Sequence, residues 1–261
     1  MMRRNTVKQK LAAGKPAFGT WLMAISSPAM PRMIAAAGFD FVFIDTQHSP
    51  FSIENVATLC EVARACGVVP IVRPFQQEQG FINRLQDVGA MGLMVPDITS
   101  RAEVDRLRGW LHYPPAGTRG ASYGSASYDY VLGAPRDLTP IADANTMLTI
   151  QIESRAGAEA IDAILAGGGV DLVEIGRNDL SASYGFPGQI DHPEVVAAID
   201  AIIAACKAHG VAAGVNCISM DDARAIAARG VTCLSYSTDK RILTEAYHGI
   251  MRHLSAISLS P

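Results

Sequence analysis

Two charged residues sit where a chain normally keeps none. Arg73 ends the apolar run "VVPIVRP" (68–74) and Glu153 ends "MLTIQIE" (147–153), both of which otherwise read as core strands. Charges are rarely buried without a partner, so the plainest explanation is an Arg73–Glu153 ion pair. The chemical explanation is a site for a hard metal ion. A second carboxylate, Asp179, follows in "IGRNDLS" (175–181), and no cysteine or paired histidine stands nearby to make a zinc site. Two carboxylates with room for water and substrate oxygens suit Mg²⁺ or Mn²⁺, with Co²⁺ as a third candidate. Such an ion acts as a Lewis acid on a bound 2-oxo acid, and a helix starting after "RNDLS" offers free backbone N–H groups for its carboxylate. A further run, "FVFIDTQHSP" (41–50), passes abruptly from apolar residues to Asp45, Thr46, Gln47 and His48, which presents an imidazole beside a carboxylate.

These residues need a scaffold that brings strand ends together. Eight apolar stretches recur, at 17–23, 39–45, 68–74, 91–98, 147–153, 170–176, 211–216 and 231–237. Most are continuously apolar, as expected of parallel strands buried on both faces. Helix-period segments separate them, with Ser52, Ser100 and Ser219 placed as caps ahead of acidic first turns. Gly38, Gly67, Gly89, Gly169, Gly210 and Gly230 each close a helix just before the next strand. Eight βα units over 1–261 predict one domain, a TIM (β/α)8 barrel, with an extra short N-terminal helix at 6–14. A doubly wound open sheet is the competing fold, and it lacks a Gly-x-Gly-x-x-Gly turn after the first strand. In the barrel, strand ends collect Asp45, His48, Arg73, Asp97, Gln151, Glu153, Asp179, Asn216, Ser237 and Asp239 at one face. The connection 113–145 is too long for an ordinary loop and reads as a subunit contact or as an active-site wall.

Composition narrows the classes. The 261 residues carry 22 Lys+Arg against 25 Asp+Glu, which provides no basic field for nucleic acid. No apolar run approaches the ~18 residues of a membrane span, and the basic start lacks the apolar stretch of a signal peptide. Five cysteines at 60, 66, 206, 217 and 233, among apolar neighbours, read as reduced core thiols of a cytoplasmic protein. His112, His192, His209, His248 and His253 are assigned to the surface or to helix ends, and Trp21 and Trp110 to packing.

The motifs "IDTQHSP", "VRP", "LQDVGAMGLMVP", "YPPAGTRG", "QIES" and "IGRNDLS" occur in one order and spacing, after an opening "NTVKQKLAAGKPAFGTW". The series resembles that of the HpcH/HpaI family of class II pyruvate aldolases, from about Asn5 to the eighth strand. The resemblance implies a carbon–carbon lyase that cleaves or forms the C3–C4 bond of 4-hydroxy-2-oxo acids, giving pyruvate and an aldehyde through a metal-bound enolate. It implies that Glu153 and Asp179 hold the cation, that Arg73 stabilises the enolate oxygen, and that His48, oriented by Asp87, is the base. Gln151 and Asn178 would contact substrate, and Asp45 would support the His48 turn. It also implies a homohexamer of paired subunits whose final helix contacts a neighbour; the sequence itself shows an apolar stripe of Leu243, Tyr247, Ile250, Met251 and Leu254. Three positions depart from the family's pattern: Thr46-Gln47 before the histidine, Arg177-Asn178 before the metal Asp, and Asp97 after the fourth strand. Arg177 points to an acidic or polar acceptor.

Other readings compete. A class I aldolase needs a Schiff-base lysine in the barrel, and Lys240 is the one candidate near a strand end. A citrate-lyase-like enzyme acting on acyl-CoA would need a basic groove for the phosphate tail, and none is evident. An inactive paralogue retained for assembly would be expected to lose the metal carboxylates, and both are present. The acceptor aldehyde stays open between succinate semialdehyde, tartronate- or lactaldehyde-type fragments and sugar-derived aldehydes.

Overall fold

The apolar runs become strands because each can bury both faces, one inward and one under the helices. In the computed structural model, which describes residues 1–257, eight strands close into a parallel barrel in chain order. They are β1 (Ala17–Leu22), β2 (Phe41–Asp45), β3 (Val69–Arg73), β4 (Gly92–Val95), β5 (Met147–Ile152), β6 (Leu172–Ile175), β7 (Ala212–Cys217) and β8 (Cys233–Thr238), with β8 pairing back onto β1. Alternate residues divide the core. Phe41, Phe43, Ile71, Met94, Met147 and Leu172 fill the barrel interior, whereas Val42, Ile44, Val72, Leu93, Leu148 and Ile150 pack outward under the helical shell. Gly19 is required on β1 because the Phe41 ring lies across it, 2.3 Å from where a Cβ would stand.

The extra helix α1 (Thr6–Ala12) precedes β1, and α2 (Ala29–Ala36), α3 (Ile53–Ala65), α4 (Gln79–Asp87) and α5 (Arg101–Leu111) follow the first four strands. The capping expected at Ser52 forms as a reciprocal box with Asn55. At Ser100 the arrangement differs: Glu103 gathers the Thr99 N–H and the Thr99 and Ser100 hydroxyls, and Ser100 caps no backbone N–H. All six glycines expected to close helices have positive φ, a backbone region costly for residues with a Cβ.

The shell departs from a one-helix-per-strand plan. The segment after β5 splits into α7 (Arg155–Glu159) and α8 (Ile161–Leu165). The helix expected after "RNDLS" begins earlier, as α9 (Arg177–Ser183), so Asp179 lies inside its first turn. Then α10 (Pro193–Ala208), α11 (Met220–Ala228) and α12 (Asp239–Leu254) complete the shell. Segment 113–145 contains a 3-10 turn at Ala126–Tyr128 and helix α6 (Pro135–Asn145). It folds against the strand-start end: Asp129 pairs with Arg3 and Arg64, and Asn5 reaches the carbonyls of Met91 and Asn145. None of its residues lines the cavity at the strand-end mouth, so it is not an active-site wall of its own barrel. Cys66 is exposed rather than in the core; the other four cysteines are buried, and all five are free thiols.

Candidate active site

The β2–β3 register places the last residues of both strands side by side, Asp45 against Arg73. Their side chains form a buried two-pronged pair, with Arg73 Nε donating to Asp45 Oδ1 at 2.9 Å and Nη2 to Oδ2 at 2.6 Å. The expected Arg73–Glu153 pair is therefore not made; Asp45 takes the guanidinium instead. Arg73 also lies over the Trp21 ring, 4.8 Å from its centre, while the indole N–H donates to Ser235 Oγ at 2.9 Å. Held by a fork and a ring face, the guanidinium has a fixed direction. Trp21 is thus part of the cavity lining as well as packing.

Gln151 bridges the two charged halves. Its amide oxygen accepts from Arg73 Nη1 at 3.5 Å, and its amide nitrogen donates to Glu153 Oε2 at 2.5 Å. The other Glu153 oxygen accepts from the backbone N–H of Asp97 at 3.0 Å. Asp97 has φ +54 at this contact, so its role here is a backbone donor in a strained turn. Gly176 permits the close approach of β6: a Cβ there would stand 2.6 Å from Glu153 Cβ and 2.8 Å from Gln151 Nε2.

Burial, and next the negative charge of Asp179, push the Glu153 carboxyl up to about 7, against the lowering effect of the Asp97 N–H and of Arg73. Asp179 lines the cavity and Glu153 stands outside its lining, close enough for their charges to repel; a divalent cation between them would favour ionisation of both. Among the described residues no cluster of three or more His, Cys, Asp or Glu has a metal-holding arrangement. The cavity is lined by Arg73, Gln151, Asn178 and Asp179, all named from the sequence.

His48 and Asp87 do not meet. His48 is exposed in the turn beyond β2, where Asp45 Oδ1 accepts from the Gln47 N–H at 2.8 Å and the Ser49 hydroxyl donates to the Asp45 carbonyl. Asp45 thus supports both this turn and Arg73. Asp87 is the last residue of α4, which runs antiparallel to the strands and ends at the opposite barrel face; there it accepts from Arg119 Nη2 at 2.8 Å. Within one chain it cannot orient His48. Arg177 is likewise redirected: Nη1 and Nη2 grip Asp222 at 2.8 and 2.7 Å, and Nη2 also donates to the Asn216 carbonyl at 2.9 Å. Its charge is matched inside the fold, and the residue still borders the cavity.

Two residues were under-read. Asp239, noted only as a strand-end acid, accepts the backbone N–H groups of Met23, Ala24 and Ile25 at 2.8–3.0 Å and ties the loop after β1 to α12. Glu174 in "VDLVEIG" carries the same signal as Arg73 and Glu153, a charge inside an apolar strand. It is 2% exposed and borders the cavity. Lys240 is exposed on α12 and does not line the cavity, which leaves a Schiff-base route without its lysine.

Known proteins give the site its context. A family model described as HpcH/HpaI aldolase/citrate lyase matches residues 18–246. A pyruvate aldolase from Rhizobium etli is 38% identical over 81% of this chain and 82% of its own. A hydroxypyruvate/pyruvate aldolase from Roseobacter denitrificans is 36% identical over 84% of each chain. Among solved structures, an HpcH/HpaI aldolase from Desulfitobacterium hafniense superposes over 100% of both chains with TM-score 0.93 at 29% identity.

Proposed function

The chain belongs to the HpcH/HpaI aldolase/citrate lyase family and is a carbon–carbon lyase, and from that premise we propose that it is a metal-dependent aldolase of 2-oxo acids. The reading is that it cleaves or forms the C3–C4 bond of 4-hydroxy-2-oxo acids, with pyruvate or a close analogue as the 2-oxo product and an aldehyde as the other. The observation that carries it is the continuous array Asp45–Arg73–Gln151–Glu153 with Asp179 alongside, at the strand-end mouth.

Glu153 and Asp179 would hold Mg²⁺, Mn²⁺ or Co²⁺, which when bound supplies Lewis-acid polarisation of the 2-oxo group. The remaining work falls to the chain. Arg73 faces the position where the 2-oxo oxygen gains negative charge, and its fixed fork with Asp45 means no reorganisation as that charge develops. Gln151 holds the inner edge of the site, and Asn178 lines it beside Asp179. His48, free at the rim, takes the proton of the C4 hydroxyl; the C3–C4 electron pair then passes into the enolate, and the aldehyde departs through the open mouth.

The test is 2-oxo acid release from a panel of 4-hydroxy-2-oxo acids, with EDTA and with added Mg²⁺ or Mn²⁺. Glu153→Gln is expected to abolish cation-stimulated turnover and to weaken cation binding measured by calorimetry. Cation-independent cleavage at the full rate would refute the proposal.

We further propose association of copies through α12, with the hexamer of paired subunits as the assembly. On this helix only Asp239 is buried, and Tyr247, Ile250, Met251 and Leu254 stay 52–63% exposed. The apolar stripe is left uncovered by its own barrel. The buried thiols suit a reducing compartment such as the cytoplasm, and no helix of the described residues is long and apolar enough to cross a membrane.

A further inference from the structure

Asp179 reaches the cavity from a weak support. It is exposed, and it stands in the first turn of α9, a helix of seven residues that begins after Gly176 without a side-chain cap. A helix this short is marginal by itself, and an uncapped start leaves the first turn free to fray. A carboxylate that shares a cation with Glu153, 26 residues earlier in the chain, needs a more definite place than that.

The residue two places before Asp179 supplies it. Arg177 reaches from the start of α9 to the start of α11, where its two Nη atoms grip the two oxygens of Asp222 at 2.8 and 2.7 Å. Nη2 also donates to the Asn216 carbonyl of β7 at 2.9 Å. Asp222 is itself fixed, because Oδ2 accepts the Ile218 N–H and its own N–H donates to Ser219 Oγ, both at 3.1 Å. The side chains of the pair are 10% and 17% exposed, against 76% and 94% for the surface pair Arg224–Asp221, so this fork is not a solvated surface contact. The hydrogen bonds from Arg177 hold the Asp222 carboxyl below its ordinary range, which keeps both partners charged at neutral pH. The fork therefore joins two walls of the cavity, the one after β6 through Arg177 and the one at β7 through Asn216 and Ile218.

We propose that Arg177 and Asp222 are positioning residues whose fork fixes the first turn of α9, and with it the direction from which Asp179 meets the cation. The inference rests on the reading of Glu153 and Asp179 as cation ligands given above. Charge by itself has the opposite consequence for one substitution. Removing a guanidinium beside a divalent cation relieves repulsion and leaves Asp222 as an extra negative charge, so on electrostatics Arg177→Met binds the cation more tightly. Loss of a positioning fork makes it bind more weakly.

The experiment uses the full chain as wild type, Arg177→Met, Asp222→Asn, the double variant and Arg177→Lys. Calorimetry measures Mn²⁺ affinity, and hydrogen exchange is followed in the metal-free protein. Each of Arg177→Met and Asp222→Asn is expected to lower Mn²⁺ affinity by about 10-fold. The double variant is expected to lose no more than either alone, because both remove the same fork. Arg177→Lys, which keeps the charge and can make one contact, is expected to fall between wild type and Arg177→Met. The Leu180 N–H, which donates to the Gly176 carbonyl at 2.9 Å across this turn, is expected to exchange faster in both single variants. Mn²⁺ affinity that is unchanged or raised in Arg177→Met overturns the proposal, even where urea unfolding shows a loss of stability, since that is the mark of an ordinary structural ion pair. If wild type binds no Mn²⁺, the metal reading fails by itself: faster exchange at Leu180 in both single variants then upholds the fork as the device that fixes this turn, and unchanged exchange overturns it as well.

Discussion

Replacing Glu174 by Gln isolates what burying that acid costs the fold. Below pH 4.5 the side chain is protonated in both folded and unfolded chains, and it adds nothing to the pH dependence of stability. Between its ordinary value of 4.5 and its folded value of about 8, the unfolded chain ionises while the folded one keeps its proton. The folded state then binds more protons, so stability falls as pH rises, by about 1.4 kcal/mol per pH unit. Across the window this amounts to ~5 kcal/mol by pH 8, and the loss levels off above it. Gln has nearly the same size and no such titration. Urea unfolding of both proteins at pH 5, 6, 7 and 8, in EDTA so that cation binding does not enter, is expected to show a difference under about 1 kcal/mol at pH 5 that widens in favour of the variant. For a chain of this length the widening corresponds to roughly 10 °C or more in Tm at pH 8. A difference that stays flat from pH 5 to 8 would refute the claim that the buried group remains protonated.

Three further outcomes follow from the same geometry. Arg73→Lys keeps a charge but loses the fork with Asp45, so kcat/KM is expected to fall about 10²–10³-fold while calorimetric cation affinity stays within a few-fold; near-normal turnover would remove Arg73 from the chemistry. Asp45→Asn leaves a buried guanidinium uncompensated, and a loss of about 3–5 kcal/mol in urea unfolding is expected, partly recovered when Arg73→Met is added. Asp239→Ala strips three backbone N–H groups of their acceptor and should lower stability by about 2–4 kcal/mol, with hydrogen exchange accelerated at Met23, Ala24 and Ile25 more than within β1.

Much of this molecule is local in origin, and that part was legible in the sequence. Apolar runs of strand length, helix-period segments between them and glycines at the junctions are each decided by a few neighbouring residues, so the eight-unit barrel and its extra helix could be read directly. Arg73 and Glu153 stood out for the same reason: a charge within an apolar strand is visible in a window of seven residues. Glu174 carried that signal too and differed only in having no matching partner to suggest a role.

Which groups meet was settled by tertiary structure. Asp45 and Arg73 are 28 residues apart and become partners only because the β2–β3 register aligns the strand ends. Arg177 finds Asp222 across 45 residues, and Asp87 is carried to the far end of the barrel because α4 returns antiparallel to the strands. Along α12 the stripe was visible in sequence, but whether it packed on its own barrel depended on where the helix leaves β8. Local propensity is a property of short stretches of chain, whereas register, helix direction and the pairing of distant charges are set by closure of the whole barrel. The sequence therefore determined the elements and most of the chemically able residues, and the closed fold decided their partners.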